Sequence, residues 1–171
     1  LYRKKVVRVG IIAVSMILLA GCAPASTSGS ANDPAEKATG AQTQVPGIGT
    51  PVRDGKFEFV VISVDRSKTA GNPSNVFEQS TAQGEYINVH LSIKNIGNEA
   101  QSYFAQNQKL IVGSKKFDAA SILGINGDGE SLNPGLGIDN TVVSFDVPPG
   151  TTPEAIELHD SMFSGGTRVK L

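Results

Sequence analysis

Two histidines, His90 and His159, and one cysteine, Cys22, are all the imidazole and thiol chemistry in this chain of 171 residues. A tetrahedral zinc site would therefore need carboxylates to complete it. His159-Asp160-Ser161, with Ser164 close by, has the residue types of a hydrolase triad, in which serine attacks, imidazole takes the proton and a carboxylate orients the ring. Adjacent residues on an extended strand point to opposite faces, so contiguity argues against such a relay, and there is no G-x-S-x-G elbow. His90 falls on the polar side of an alternating segment and reads as a solvated side chain. In the loop Ile125-Asn126-Gly127-Asp128-Gly129-Glu130, the oxygen-bearing Asn126, Asp128 and Glu130 alternate with glycines, a spacing that can wrap calcium. Asn126 stands where an EF-hand has its leading Asp and the closing bidentate Glu is missing, so a plain flexible turn competes with the metal reading. No Lys-Ser or Lys-Thr follows these glycines, which argues against nucleotide phosphate. The chain is expected not to be an enzyme and to carry no cofactor.

Cys22 has the most informative surroundings. Arg3, Lys4, Lys5 and Arg8 form a positive segment, and Val9 to Ala20 is an apolar run broken only by Gly10 and Ser15. Twelve residues reach ~18 Å as a helix, short of the ~30 Å hydrocarbon core, so residues 1–21 are expected to be a signal peptide, not a membrane span. Leu19-Ala20-Gly21-Cys22 closely resembles the lipobox of bacterial lipoproteins, in which the thiol is lipid-modified and the chain is cut on its amino side. Because one acyl chain holds a protein only marginally and two or more hold it stably, the expected partner is the cell membrane, through the lipid on Cys22. The expected location is the extracytoplasmic face of the cell membrane. With Cys22 alone, no intrachain disulfide can form.

The elements that must position these groups begin well after the cysteine. Residues 22–51 are rich in Ala, Ser, Thr, Gly and Pro, with little to bury, and read as a flexible linker holding the domain ~30 Å from the bilayer. The leader takes four of the 15 Lys and Arg and none of the 16 Asp and Glu, which leaves 11 basic against 16 acidic residues, a net charge of −5. An acidic chain without a basic run is a poor match for phosphate backbones, so nucleic acid is not an expected partner.

From residue 52 to 171 the pattern is one of short alternating runs separated by Gly, Pro, Asn and Asp. Lys56 to Val64 reads as a strand, and Glu85 to Asn95 more clearly so: Ile87, Val89, Leu91 and Ile93 alternate with Asn88, His90, Ser92 and Lys94. A strand through Tyr103 and Phe104 follows, then a hairpin of Lys109 to Val112 and Lys115 to Phe117 about Gly113-Ser114. Asn140 to Val147 is closed by Pro148-Pro149-Gly150, and Ala155 to His159 and Thr167 to Leu171 complete the count. About seven strands without a convincing helix predict an all-β, immunoglobulin-like antiparallel two-sheet sandwich. With no Trp and no cysteine pair, apolar packing alone must join the sheets.

Over these residues the chain resembles the immunoglobulin-fold lipoprotein family of unknown function that is akin to an actinobacterial secreted immunogenic protein. The resemblance is carried by Gly84-Glu85-Tyr86 leading into Val89 to Asn95, by Leu132-Asn133-Pro134-Gly135 before Val143 to Pro148, and by Glu157-Leu158-His159-Asp160 running to Phe163-Ser164-Gly165-Gly166. It implies the sandwich fold and brings no catalytic motif. The family has also carried a telomeric repeat-binding label, which the charge of −5 and the export signal oppose.

The function expected is that of a tethered, non-enzymatic module that binds an envelope protein or glycan. A calcium-dependent ligand binder, a hydrolase, and a purely structural surface antigen are the alternatives. Metabolic labelling with a fatty acid should mark the wild type and leave Cys22→Ala unmarked; label that persists in the variant would remove the lipidation reading.

Overall fold

The computed structural model describes residues 44–124 and 127–171. The leader, the lipobox residues Leu19, Ala20 and Gly21, Cys22, most of the linker, and Asn126 lie outside them.

The described residues form a β-sandwich. One sheet has the order β1-β2-β3-β8, from β1 (Val52–Asp54), β2 (Phe57–Gly71), β3 (Gln79–Asn95) and β8 (Gly137–Val147). The other has the order β10-β9-β5-β6, from β5 (Lys109–Val112), β6 (Lys115–Asp118), β9 (Ala155–Leu158) and β10 (Thr167–Lys170). β4 (Gln101–Ser102) and β7 (Ser131–Leu132) make a small separate pair. Every pairing of these strands is antiparallel. Short 3-10 turns at Val76–Glu78 and Ala105–Asn107 are the helical segments described.

Alternation explains the core. Ile87, Val89, Leu91 and Ile93 of β3 are fully covered, and they meet Phe57, Phe59 and Val61 of β2 and Val143, Phe145 and Val147 of β8. From the facing sheet come Leu110, Ile156, Leu158 and Val169. Each such side chain contributes roughly 1.5–3 kcal/mol by leaving water, which is what holds together two sheets that lack a disulfide. Residues ahead of β1 also bond to the sandwich: the Lys170 amide donates to the Pro46 carbonyl at 2.7 Å, and the Gly49 amide to that of Val61 at 2.8 Å.

β2 and β3 run well past the apolar segments that announce them. Val64 is followed by the polar run Asp65-Arg66-Ser67-Lys68-Thr69, which continues as strand because it pairs with β3 as far as Gly71↔Gln79. β3 bends at Gly84, where a Cβ would lie 2.0 Å from the Val147 carbonyl oxygen, so only glycine fits. The bend is fixed by Asp146, whose carboxylate accepts the amides of Gln83 and Gly84 at 2.7 and 3.0 Å.

Tyr103 and Phe104, expected on a strand, lie between β4 and a 3-10 turn. Phe104 is half exposed, whereas Tyr103 is wholly buried, with its ring centroid 6.2 Å from Phe57 and 6.4 Å from Phe59. Its hydroxyl has no hydrogen-bond partner. Burial, and then the nearby negative charge of Asp128, push the phenol pKa well above its usual value. A buried hydroxyl without a partner costs stability. Tyr103→Phe should therefore raise the unfolding free energy by about 1 kcal/mol, read as a higher urea midpoint at unchanged slope. A lower midpoint would show that the hydroxyl is paired.

Candidate functional site

The solvent face of β2, β3 and β8 carries a network of polar side chains around a cavity of about 380 Å³. Two irregularities create it. In β2 the register with β3 shifts between Val61↔Leu91 and Ser63↔His90, leaving Ile62 as an extra residue. Residues with odd numbers face the core before that bulge, and residues with even numbers after it, so Ser63, Asp65 and Ser67 turn outward. In β8 the register shifts between Leu91↔Thr141 and Ile93↔Ile138, setting Asp139 and Asn140 opposite Ser92 alone. Asn140 takes φ 58° there, a left-handed conformation that Asn tolerates better than most side chains.

The consequence is a connected set. His90 lies between Asp65 and Asn140: Nε2 is 2.6 Å from Asp65 Oδ1 and Nδ1 is 2.9 Å from Asn140 Oδ1. Asn88 donates both amide hydrogens, to Asp65 Oδ2 at 3.0 Å and Ser67 Oγ at 2.9 Å, and accepts the Ser144 hydroxyl at 2.8 Å. Asn88 and Ser144 are buried although they belong to the outer face. They are covered because residues after β6 cross this face, with the Ala120 amide donating to the Ser144 carbonyl at 2.8 Å and Ile122 packing on Ala82 and Tyr86. His90 is thus one member of a constructed group, not the lone solvated histidine its alternation suggests.

His159, Asp160 and Ser161 do not form a triad. Asp160 turns away from the imidazole and accepts the Lys56 amide at 3.1 Å, while Asp54 accepts the amides of Asp160 and Gly166 at 2.8 and 3.1 Å. His159 instead has Ser164 Oγ 3.2 Å from Nδ1 and Glu157 Oε1 3.2 Å from Nε2. The Ser164 hydroxyl donates to the Ser161 carbonyl at 3.1 Å, so its proton is not offered to the ring. The cluster ties the loop after β9 to the sandwich.

Glu157 is the centre of that cluster. Lys116 Nζ lies 2.6 Å from Oε1 and Arg168 Nε 2.9 Å from Oε2. Burial alone would raise its pKa, but the hydrogen bonds from Lys116, Arg168 and His159 lower it by more, from 4.5 to about 2.

Of the three residues expected at a metal, Asp128 and Glu130 are among the described ones. The Asp128 carboxylate accepts the Ala105 amide at 2.7 Å and so caps a turn, Glu130 is exposed, and Asn126 is outside the described residues. No group of three or more His, Cys, Asp or Glu among the described residues could hold a metal ion, and no helix among them is long and apolar enough to cross a membrane.

Residues 46–169 match the family described as a domain of unknown function (DUF4352). Among solved structures, the yjhA protein from Bacillus subtilis is similar with a TM-score of 0.56 and 18% identity, over 74% of this chain and 99% of the other. A secreted protein from Mycobacterium tuberculosis, MPT63, is similar with a TM-score of 0.55 and 10% identity, over 74% of this chain and 96% of the other. These likenesses show the sandwich fold, and no catalytic family is indicated. No curated protein matches the chain.

The Glu157 cluster makes acid stability a direct test. A carboxyl whose pKa is depressed on folding stabilises the fold above its unfolded value and loses that contribution as pH falls through its folded value. Glu157→Gln should lower the unfolding free energy by about 2 kcal/mol at neutral pH, discounted for the exposed Lys116 and Arg168. The difference from wild type should vanish as pH falls from about 4.5 to about 2. A difference that stays constant over that interval would overturn the assignment.

Proposed function

The chain belongs to the family described as a domain of unknown function (DUF4352), and from that premise we propose that it is a membrane-anchored extracytoplasmic lipoprotein whose sandwich is a non-enzymatic binding module. The anchor is the lipid on Cys22, at the end of a leader with a positive segment, an apolar run and a lipobox. The secreted mycobacterial protein of the same fold supports an extracytoplasmic location. An envelope protein or glycan is the partner.

One observation carries the binding reading: the polar cavity on the solvent face of β2, β3 and β8. Function is argued from such a site, not from the fold, since sandwiches host many activities. Two bulges direct Asp65 and Asn140 to either side of His90, and a crossing segment walls the cavity at Gly124. At about 380 Å³ it falls within the ~300–1,000 Å³ range of small-molecule sites. The hydrolase alternative loses support because the residues that suggested it secure a loop, and the calcium alternative because Asp128 is already engaged with Ala105.

Crosslinking in intact cells, with captured species identified by mass spectrometry, tests the reading. Wild type should yield one envelope component, and that adduct should be lost in His90→Ala and in Asn140→Gly, the latter chosen because glycine accepts the φ of 58°. It should also be lost in Cys22→Ala. No adduct from wild type, or equal capture by the two cavity variants, would end the proposal.

A further inference from the structure

We propose that the cavity between β2, β3 and β8 takes a neutral, hydroxyl-rich ligand of sugar size, held by the Asp65 carboxylate and the Asn140 amide; this rests on the binding-module reading above. The ionisable groups of its lining are Asp65 and His90, bonded to each other, and no lysine or arginine lines it. An anion would meet the Asp65 carboxylate with no lysine or arginine in the lining to offset it, so phosphate and acidic groups are disfavoured. A cation would meet a carboxylate whose two oxygens each already accept a hydrogen bond, from His90 and Asn88.

The capacity left over after the internal bonds are counted points to hydroxyls. Asn88 has its two hydrogens and its oxygen engaged, Ser67 donates to the Thr69 carbonyl at 2.5 Å, and Asn72 is held by Glu78 and the Ser74 amide. These groups stiffen the wall. With one bond accepted at each oxygen, Asp65 keeps lone pairs to accept more, and the Asn140 amide has one of its two polar atoms against His90 and the other turned to a ligand. A carboxylate and an amide held on either side of one imidazole complement neighbouring hydroxyls, which both donate and accept. Val142 and Ala70 add an apolar surface for the C–H face of such a ligand. Because the partners are fixed before binding, little ordering cost falls on the protein side.

The test is a titration of the full chain in detergent micelles with glucose, N-acetylglucosamine, choline and inorganic phosphate, followed by amide chemical shifts. The two sugars, or one of them, should bind with a dissociation constant of about a millimolar, as suits so small a ligand, and should shift Asp65, Asn88 to His90 and Asn140 to Ser144. Asp65→Asn and Asn140→Gly should each weaken binding by roughly tenfold or more, while Asp118→Asn, on β6, should not change it. Asn140→Gly decides the matter if Asp65→Asn fails to fold. Binding of choline alone or phosphate alone, shifts elsewhere on the domain, or no response to either sugar would overturn the ligand class. Crosslinking to an envelope component that still depended on His90 would then leave the binding module standing with a different ligand.

Discussion

The register change at Ile62 is the constraint on which the sheet and the site both depend. Phe57, Phe59 and Val61 face the core ahead of it, and Ser63, Asp65 and Ser67 face solvent after it, along one continuous strand. Without the extra residue, either the aromatic half of β2 would be driven out of the core or Asp65 would be driven into it. Burial of the two phenylalanines is worth several kcal/mol at roughly 1.5–3 kcal/mol each, and an unpaired buried carboxylate is costlier still, so the bulge is the only inexpensive way to run both halves in one strand. Ile62 itself sits about half exposed, as expected for a residue that has left the ladder.

From Glu85 to Asn95, β3 is the edge against which both bulges beside His90 are set. Over that stretch its core-facing residues keep one face, and the extra residues lie in its neighbours, at Ile62 on one side and at Asp139 and Asn140 on the other. His90 is thereby flanked from both sides at the same level of the sheet. At the ends of the sandwich, side chains that accept backbone amides do what disulfides do in many small domains. Asp54 and Asp160 join the β1–β2 turn to the loop after β9, and Asp146 holds the bend of β3. The buried Asn95 does the same at the end of β3, donating to the carbonyls of Glu99 and Leu132 and accepting the Gly97 amide, each at 2.8 Å.

Apolar alternation made much of this fold legible. β3 beyond Glu85, the hairpin about Gly113, β8 and the last two strands lie within a few residues of where the pattern puts them. The outer part of the β2–β3 hairpin was not legible, because residues from Asp65 to Gln83 hold few apolar positions and their pairing is decided by partners across the turn. β1 and β7 are too short to show a period. The site was hidden for a related reason: Asp65 and His90 are 25 residues apart, and they share a face only because of a bulge that no local signal announces. Asn88, His90 and Ser92 were visible as one polar face, but a polar face is also what any solvated strand presents. At Asp160 the argument from contiguity points away from a relay with His159, and the carboxylate accepts the Lys56 amide.

The network on this face is difficult to explain as a device for stability. Its bonds at His90 join partly exposed groups, and such pairs add ~0–1 kcal/mol while fixing side chains that would otherwise move. Asn88 and Ser144 are a different case, since they are buried and would be costly if unpaired; their mutual bond answers a burial that the crossing segment itself imposes. A sheet that needed only stability could have placed β-branched residues there and left the face open. Holding Asn140 at a left-handed φ beside an ordered His90 and Asp65 makes physical sense where something binds, because the ordering then reduces the entropy lost when a ligand arrives. The core, the loop ends and the Glu157 cluster supply interactions that hold the fold, whereas the bonds at His90 order a face while adding little to its stability.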